Sequence, residues 1–334
     1  MSARSTIRFD SYGTECDAWF FTSDAASPFD RQAGRPVVVM AHGFGGTKDS
    51  GLEPFARRLA AAGLAVFAFD YRGFGASDGT PRQRIHLAGQ LEDYRSAIAA
   101  AGKQAGVDRS RVVLWGISQS GGHVLVLAAE RADVCAAISV APMVSGLSAG
   151  RHALAQHGPV AMASSTVAGV RNALATRLGA APTMLPLVGK PGERAALTAE
   201  GYYESYLALA GPTWRNEVDA SVGLEIGGYR ADRHADRITA PVLVQIADVD
   251  RAAPPQAAAK AAFAARAEVR HYPCDHFDVF AGNDWFEPTV DDQIRFLTRK
   301  LLGTTHADVA PSTQQAAHLS TAGTPTERTA TGGV

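Results

Sequence analysis

The chain has 334 residues, 46% hydrophobic and 19% charged, which is enough material for a sizeable hydrophobic core and excludes disorder throughout. The 32 Lys and Arg side chains nearly cancel the 33 Asp and Glu side chains, so a net charge of −1 favours neither nucleic acid nor an anionic membrane as partner. Three cysteines, Cys16, Cys135 and Cys274, lack the spacing of a zinc site or a disulfide framework, which predicts a reducing compartment.

The amino terminus, MSARSTIRFD, lacks the apolar segment of a secretory signal. No apolar run approaches the roughly 18 residues that a membrane span needs. We therefore expect a soluble, cytoplasmic protein.

Apolar runs and helical patterns alternate along most of the chain. Residues 6–22 alternate apolar and polar side chains around Gly13, which predicts an antiparallel hairpin. Short apolar runs that end in small or turn residues predict buried parallel strands, and they lie at 37–43, 64–73, 111–116, 135–142, 241–248 and 267–273. Helical spacing separates the early runs and recurs near the end, from Val290 to Leu301. This order predicts an α/β fold with a mostly parallel central sheet and helices on both faces.

Two segments depart from this alternation. Residues 143–236 carry no clear strand run but have helical patterns near 151–178 and 198–210, which predicts a helical cap. Residues 304–334 have no aromatic side chain and are rich in Thr, Ala, Gly, Ser and Pro, which predicts a disordered tail. We therefore assign 1–142 and 237–303 to the core of the fold.

A candidate nucleophile stands at the end of the strand RVVLWG, in the sequence GISQSGG, which leads into an apolar helical pattern. A nucleophilic serine needs a tight strand-to-helix turn with small neighbours, and Ser118 has that position. Ser120 offers a second hydroxyl in the same turn. The motif alone is a common small-residue turn, so its significance depends on partner residues later in the chain.

Candidate partners for the serine stand after two later strands. Asp248 and Asp250 come after PVLVQI, where a carboxylate could orient an imidazole, although either could instead cap the next helix. His276 lies on the loop after the last predicted strand and is the candidate general base. Early in the chain, HGFGG comes after the strand VVVMA, and its glycines allow the backbone N–H of Phe44 to join that of Gln119 in an oxyanion hole.

The motifs HGFGG, DYRGFGASDG and GISQSGG, together with an aspartate and then a histidine, resemble those of the α/β-hydrolase superfamily over residues 6–303. The resemblance includes dienelactone-hydrolase-like and Xaa-Pro-peptidase-like members and fungal polyketide transferases. It implies Ser118 as nucleophile, His276 as base and then acid, and Asp250, through its Asp-x-x-x-Pro spacing, as the orienting carboxylate. Ser120 departs from the usual GxSxG pattern. The resemblance also implies a structural role for Asp70 and Arg72, and Cys274 is expected to pack.

The cap carries candidate pocket residues. Tyr202, Tyr206 and Trp214 could line an acyl or aromatic pocket, as could Met143 at its edge, although packing within a helical lid explains the aromatic residues equally well.

These motifs are compatible with four functions. The first is a serine hydrolase of carboxylic esters or thioesters, acting through an acyl-enzyme. The second is an acyltransferase using the same intermediate, the third a peptidase, and the fourth a ligand-binding fold without turnover. We expect a small-molecule ester or acyl substrate, no metal or organic cofactor, no nucleic-acid or membrane partner, and a homodimer as the candidate assembly.

Overall fold

A computed structural model describes residues 3–22 and 25–303 of the chain. Its strands are β1 (Ala3–Ser11), β2 (Thr14–Thr22), β3 (Arg35–Ala41), β4 (Ala65–Phe69), β5 (Val107–Ile117), β6 (Val134–Val140), β7 (Met184–Leu185), β8 (Val218–Asp219), β9 (Val242–Ala247) and β10 (Glu268–Tyr272). Its helices are α1 (Leu52–Ala61), α2 (Leu87–Ala101), α3 (Gln119–Glu130), α4 (Gly146–Arg177), α5 (Tyr202–Leu209), α6 (Val222–Gly227), α7 (Pro255–Ala264) and α8 (Phe286–Leu302), with a 3₁₀ helix at Ala231–Arg237.

Eight strands form one sheet in the order β1-β2-β4-β3-β5-β6-β9-β10. β1 and β2 pair as the predicted antiparallel hairpin, and β2 pairs antiparallel with β4. The other neighbouring strands pair in parallel. The predicted fold class is therefore confirmed. Because parallel strands end at the same edge, the loops after β3, β5, β9 and β10 meet at one side of the sheet.

The core of the molecule lies on both faces of this sheet. Residues 37–41 of β3 and 65–69 of β4 are buried, as continuous apolar runs in a parallel sheet require. α1 buries Leu52, Phe55 and Leu59 at helical spacing, and α8 buries Val290, Leu297 and Leu301 in the predicted register. α1 and α8 pack against each other through Phe55 and Phe286, so they cover the same face of the sheet and leave the strand-end loops free to build a site.

The segment 143–236, which we call the cap segment, contains α4, α5, α6, the 3₁₀ helix and the short strands β7 and β8. α4 breaks at Gly158, whose φ of 77° is left-handed, and Pro159 comes directly after the break. The two predicted helices correspond to α4 and α5. The sequence did not predict α6, β7 or β8, because each of them is too short for a hydrophobic period to identify. The predicted disordered tail lies outside the described residues.

Candidate active site

Ser118 lies in a sharp turn between β5 and α3. Its φ of 59° and ψ of −120° are sparsely populated for a residue with a side chain, and such strain is common at functional turns. Its N–H donates to the carbonyl of Val140 at 2.8 Å, and its own carbonyl accepts from the Met143 N–H at 2.9 Å. A side chain at Gly116 would collide with the carbonyl of Ser120. The turn is therefore held on both sides and needs a glycine before it.

The second serine of the turn is enclosed in the protein interior. Ser120 is fully buried, and its Oγ donates to the carbonyl of His42 and lies 2.7 Å from the Tyr71 hydroxyl. These contacts join the nucleophile turn to the end of β3. The location leaves Ser118 as the accessible hydroxyl of the pair, in agreement with its position in the motif.

His276 and Asp250 meet across the loops after β10 and β9. The imidazole Nδ1 lies 2.6 Å from Asp250 Oδ2, and both side chains are buried. The other carboxylate oxygen, Oδ1, accepts from the backbone N–H groups of Ala252 and Ala253, each at 2.7 Å. These bonds fix the carboxylate against its own loop. Because the carboxylate accepts from Nδ1–H, the Nε2 of the neutral imidazole carries no proton, which is the tautomer that a general base requires.

Burial and charge act in opposite directions on this imidazole. Burial lowers the pKa of His276, while the charge and hydrogen bond of Asp250 raise it, and the pKa ends above its ordinary value of 6.5. The rival aspartate differs in its surroundings: Asp248 pairs with His271 at 2.7 Å, and both side chains are exposed to solvent. Of the two candidates, the structure brings only Asp250 to His276.

Two backbone N–H groups frame the space beside Ser118. Gln119 begins α3, so its N–H has no acceptor within the helix and lies at the positive end of the helix dipole. Within the described residues, the Phe44 N–H donates a hydrogen bond to no protein group. The Tyr206 hydroxyl donates to the Phe44 carbonyl at 2.8 Å and thereby fixes that loop from the cap segment.

The close approach of the loop after β3 to Ser118 depends on Gly43. A Cβ at this position would lie 2.8 Å from the Cβ of Ser118, closer than real Cβ contacts allow. The first glycine of HGFGG is therefore required for this loop to pack against Ser118.

A cavity of about 750 Å³ joins these groups, with Ser118, His276, Phe44 and Gln119 on its floor. Met143 and Tyr206 line it as expected. Tyr202 and Trp214 do not, which corrects their assignment to this pocket. Tyr202 bonds to Asp275, packs edge-on against Phe277 and borders a separate cavity of about 50 Å³, and Trp214 stacks behind Tyr206 with ring centroids 5.1 Å apart. Tyr202 therefore packs against the loop after β10, and Trp214 packs within the cap segment.

Ser118 and His276 line the same cavity, but no hydrogen bond joins their side chains within the part of the chain that the structure describes. Proton transfer between them therefore requires Ser118 Oγ and His276 Nε2 to come within hydrogen-bond distance. Catalytic hydrogen bonds are often loose before substrate binds, so this geometry is compatible with a serine–histidine pair.

The fold agrees with that of solved structures similar to the chain. Residues 32–276 match the family described as serine aminopeptidase, S33 (Hydrolase_4). The chain belongs to this family of α/β hydrolases. The chain is 38% identical over 298 residues to the quorum-quenching protein AidA of Acinetobacter baumannii (strain MDR-ZJ06), a match that covers 88% of this chain and 94% of AidA.

Three further matches resemble the chain over different spans. The thiohydrolase aneE of Aspergillus aculeatus is 36% identical over 113 residues, 34% of this chain and 36% of aneE. The crystal structure of the α/β hydrolase GrgF from Penicillium sp. sh18 matches with a TM-score of 0.74 at 22% identity, covering 90% of this chain and 99% of GrgF. The polyketide transferase grgF is also 32% identical over 142 residues, 42% of this chain and 46% of that protein. The structural likeness supports the fold alone.

A buried polar network beside the turn that carries Ser118 was not predicted from the sequence. Gln119 Nε2 donates to Gln90 Oε1 at 2.6 Å, and the same oxygen lies 3.1 Å from His123 Nε2. His123 Nδ1 lies 2.8 Å from the Tyr229 hydroxyl. Burial lowers the pKa of His123 to about 3, so its ring is neutral and can donate to Gln90 while accepting from Tyr229. Gln90 and Tyr229 belong to no motif, and their sequence offers no signal.

Two other expectations concern residues outside the cavity. Asp70 accepts from both the backbone N–H and the ammonium of Lys48, each at 2.6 Å, and Arg72 pairs with Asp93, so both have structural contacts. Burial raises the pKa of the Cys274 thiol to about 12, which disfavours a thiolate nucleophile there.

Among the described residues, no helix is long and apolar enough to cross a membrane, and no cluster of side chains is suited to a metal ion.

Proposed function

We propose that this α/β hydrolase cleaves carboxylic esters or thioesters through an acyl-enzyme formed on Ser118. The observation that carries the proposal is the buried His276–Asp250 pair, whose imidazole lines the same cavity as Ser118. This arrangement supplies a nucleophile, a base and an orienter for the base in the order that acyl transfer requires.

The reaction proceeds in two steps. Nε2 of His276 takes the proton of the Ser118 hydroxyl as Oγ forms a bond to the carbonyl carbon, and the oxyanion accepts hydrogen bonds from the N–H groups of Phe44 and Gln119. The imidazolium then protonates the leaving alcohol or thiol as its bond to the carbonyl carbon breaks. Water, deprotonated by the same imidazole, attacks the acyl-enzyme and releases the acid, and the proton returns to Ser118.

The acyl group of the substrate is proposed to lie in the part of the cavity that the cap segment covers. Small side chains dominate this wall, including Ala149, Gly150, Ala153, Gly169 and Ala220. A volume of about 750 Å³ with a mainly apolar lining suits an apolar acyl chain longer than acetyl.

Acyl transfer to an alcohol or amine is the second candidate. The apolar cavity under the cap segment would limit access of water to the acyl-enzyme, and the relative grgF is named a polyketide transferase. The peptidase hypothesis has less support, although the family description mentions an aminopeptidase. Among the described residues that line the cavity, Glu193 is the single carboxylate available to bind a substrate amine, and it is exposed.

The test is covalent labelling with a fluorophosphonate, with the adduct located by mass spectrometry. We expect an adduct on Ser118 that Ser118→Ala abolishes and that Ser120→Ala retains, since Ser120 is buried outside the cavity. Unlabelled protein would be assayed in parallel on esters, thioesters and dipeptidyl amides, with and without alcohol and amine acceptors. Absence of an adduct in folded protein would contradict the proposal and favour a ligand-binding fold. Product formed only with an acceptor present would favour the transferase.

A further inference from the structure

Asp275, the residue before His276, binds three parts of the molecule with one carboxylate. Its Oδ1 accepts from the N–H of His276 at 2.7 Å and from the N–H of Arg251 at 3.0 Å. The same oxygen accepts from the Tyr202 hydroxyl at 2.8 Å. Its Oδ2 accepts from Arg251 Nε at 2.6 Å and lies 2.5 Å from Arg251 Nη2. The carboxylate thus contacts the loop of His276, the loop of Asp250 and the cap segment.

The contacts of Arg251 and Tyr202 extend this arrangement. Arg251 is the residue after Asp250, and its Nη2 also donates to the carbonyl of Glu200 at 3.0 Å. The Arg251 guanidinium lies over the Tyr202 ring at 5.1 Å. Tyr202 is the first residue of α5, is buried, and packs edge-on against Phe277 at 4.9 Å. The start of α5 is therefore attached to residues that neighbour the catalytic pair.

These contacts explain how the base is held, which the Asp250–His276 bond alone does not. The carboxylate of Asp250 is fixed by N–H groups of its own loop, whereas the backbone of His276 is fixed by Asp275. A carboxylate that accepts from the N–H groups of both Arg251 and His276 sets the separation of the two loops that carry Asp250 and His276.

We propose that Asp275 is a positioning residue that sets the geometry of the Asp250–His276 pair and couples it, through Tyr202, to the seating of the cap segment. The proposal rests on the proposed function of Ser118 and His276. Asp275 contacts no reacting atom, so it acts through His276 and Asp250.

The charges around His276 determine what a change at Asp275 does to its titration. The charged or titratable groups are Asp250 and Arg251 on the loop after β9, Asp275 on the same loop as His276, Tyr202 from α5, and His42 and Tyr206 at the same cavity. Neutralising Asp275 removes a nearby negative charge that favours the imidazolium, so the pKa of His276 should fall.

The experiment compares Asp275→Asn and Tyr202→Phe with the wild-type chain. Asp248→Asn is the matched control, because it removes a carboxylate from an exposed carboxylate–imidazole pair near the same loop. For each protein we would measure kcat and KM on the ester that the wild type hydrolyses fastest, the pH profile of kcat/KM, and the melting temperature. The NMR titration of the His276 imidazole gives a readout that requires no turnover.

We expect Asp275→Asn to lower kcat by roughly ten- to a hundredfold, since a displacement of about 1 Å can cost about a hundredfold. The acid limb of the profile and the NMR titration should both move to lower pH. Tyr202→Phe should lower kcat less and leave the titration in place, because it removes a cap contact and no charge. Asp248→Asn should match the wild type.

Unchanged kcat and an unchanged His276 titration in Asp275→Asn, with only a lower melting temperature, would overturn the proposal and leave Asp275 a purely structural residue. If Asp275→Asn fails to fold, unchanged kcat in Tyr202→Phe overturns the coupling to the cap segment. If the wild type gives no adduct on Ser118, the proposed function fails. The NMR titration then still decides whether Asp275 controls the imidazole.

Discussion

The floor of the cavity and its wall are held by different kinds of contact. On the floor, the groups at the strand ends are joined by short hydrogen bonds, such as the 2.6 Å bond of His276 to Asp250 and the 2.8 Å bond of Ser118 to the Val140 carbonyl. The wall, from the cap segment, presents a majority of small side chains to the cavity, among larger ones such as Leu197 and Tyr206. Its outer surface leaves large aliphatic side chains exposed, with Val160 82% and Leu178 88% accessible.

This difference separates two properties of the proposed enzyme. Hydrogen bonds fix the angles and distances on which the rate of the chemical step depends, and a change there should lower kcat for every substrate. Small side chains leave volume, and a change there should alter which acyl groups fit while leaving the chemical step intact. Substitutions on floor and wall should therefore have distinguishable kinetic signatures.

The largest effect is expected from Asp250→Asn. The amide cannot hold the imidazole in the required tautomer or stabilise the imidazolium, and the comparable change in a known serine protease lowers kcat by about 10⁴-fold. We expect a loss of that order on short and long esters alike, measured by steady-state kinetics and by the rate of fluorophosphonate labelling.

Asp248→Asn serves as the control, because Asp248 lies two residues away with an exposed partner. A loss confined to long-chain substrates, or an equal loss in both variants, would contradict the separation of floor from wall.

A smaller and selective effect is expected from Ala153→Leu on α4. Ala153 is half-buried and lines the cavity, so the added carbons should occupy space proposed for the acyl chain. We expect kcat/KM for a dodecanoate ester to fall by roughly tenfold or more, while that for a butyrate ester stays near wild type. The measurement is the ratio of kcat/KM for the two esters.

Ala155→Leu is the matched control, because Ala155 lies on the same helix with its side chain exposed to solvent. The same substitution there should leave the ratio unchanged. Equal losses for both esters in Ala153→Leu would show that the wall affects the chemical step and would remove this assignment of the acyl pocket.

The same contrast explains which features the sequence could predict. Strand runs such as VVVMA and RVVLWG give an unambiguous apolar signal, and the residues after them must meet at the carboxyl edge of a parallel sheet. Ser118, Asp250 and His276 could therefore be selected by position, without knowledge of their contacts. The hairpin and the terminal helix could be predicted from their periods in the same way.

The cap segment offered no comparable rule. Tyr202 and Trp214 are aromatic side chains in a helical region, and composition cannot tell whether such a ring faces a cavity or packs against another ring. Asp275 directly precedes His276 in the sequence, yet its three partners come from positions that no motif links. Contacts of this kind depend on the final placement of loops, which a local pattern does not encode.

The smallest expected effect concerns the pH dependence of the wild type. Burial lowers the pKa of His276, but the charge and hydrogen bond of Asp250 raise it by more than burial lowers it, so the pKa lies above 6.5. Only the neutral imidazole accepts the proton of Ser118, so kcat/KM should rise with pH and reach half its plateau above pH 6.5. Below that point the rate should fall about tenfold per pH unit.

The measurement is kcat/KM between about pH 5 and 9 on an ester, with the spontaneous hydrolysis of that ester subtracted. A limb at or below pH 6.5 would mean that desolvation outweighs Asp250, whereas the wall variant Ala153→Leu should leave the limb where it is in the wild type.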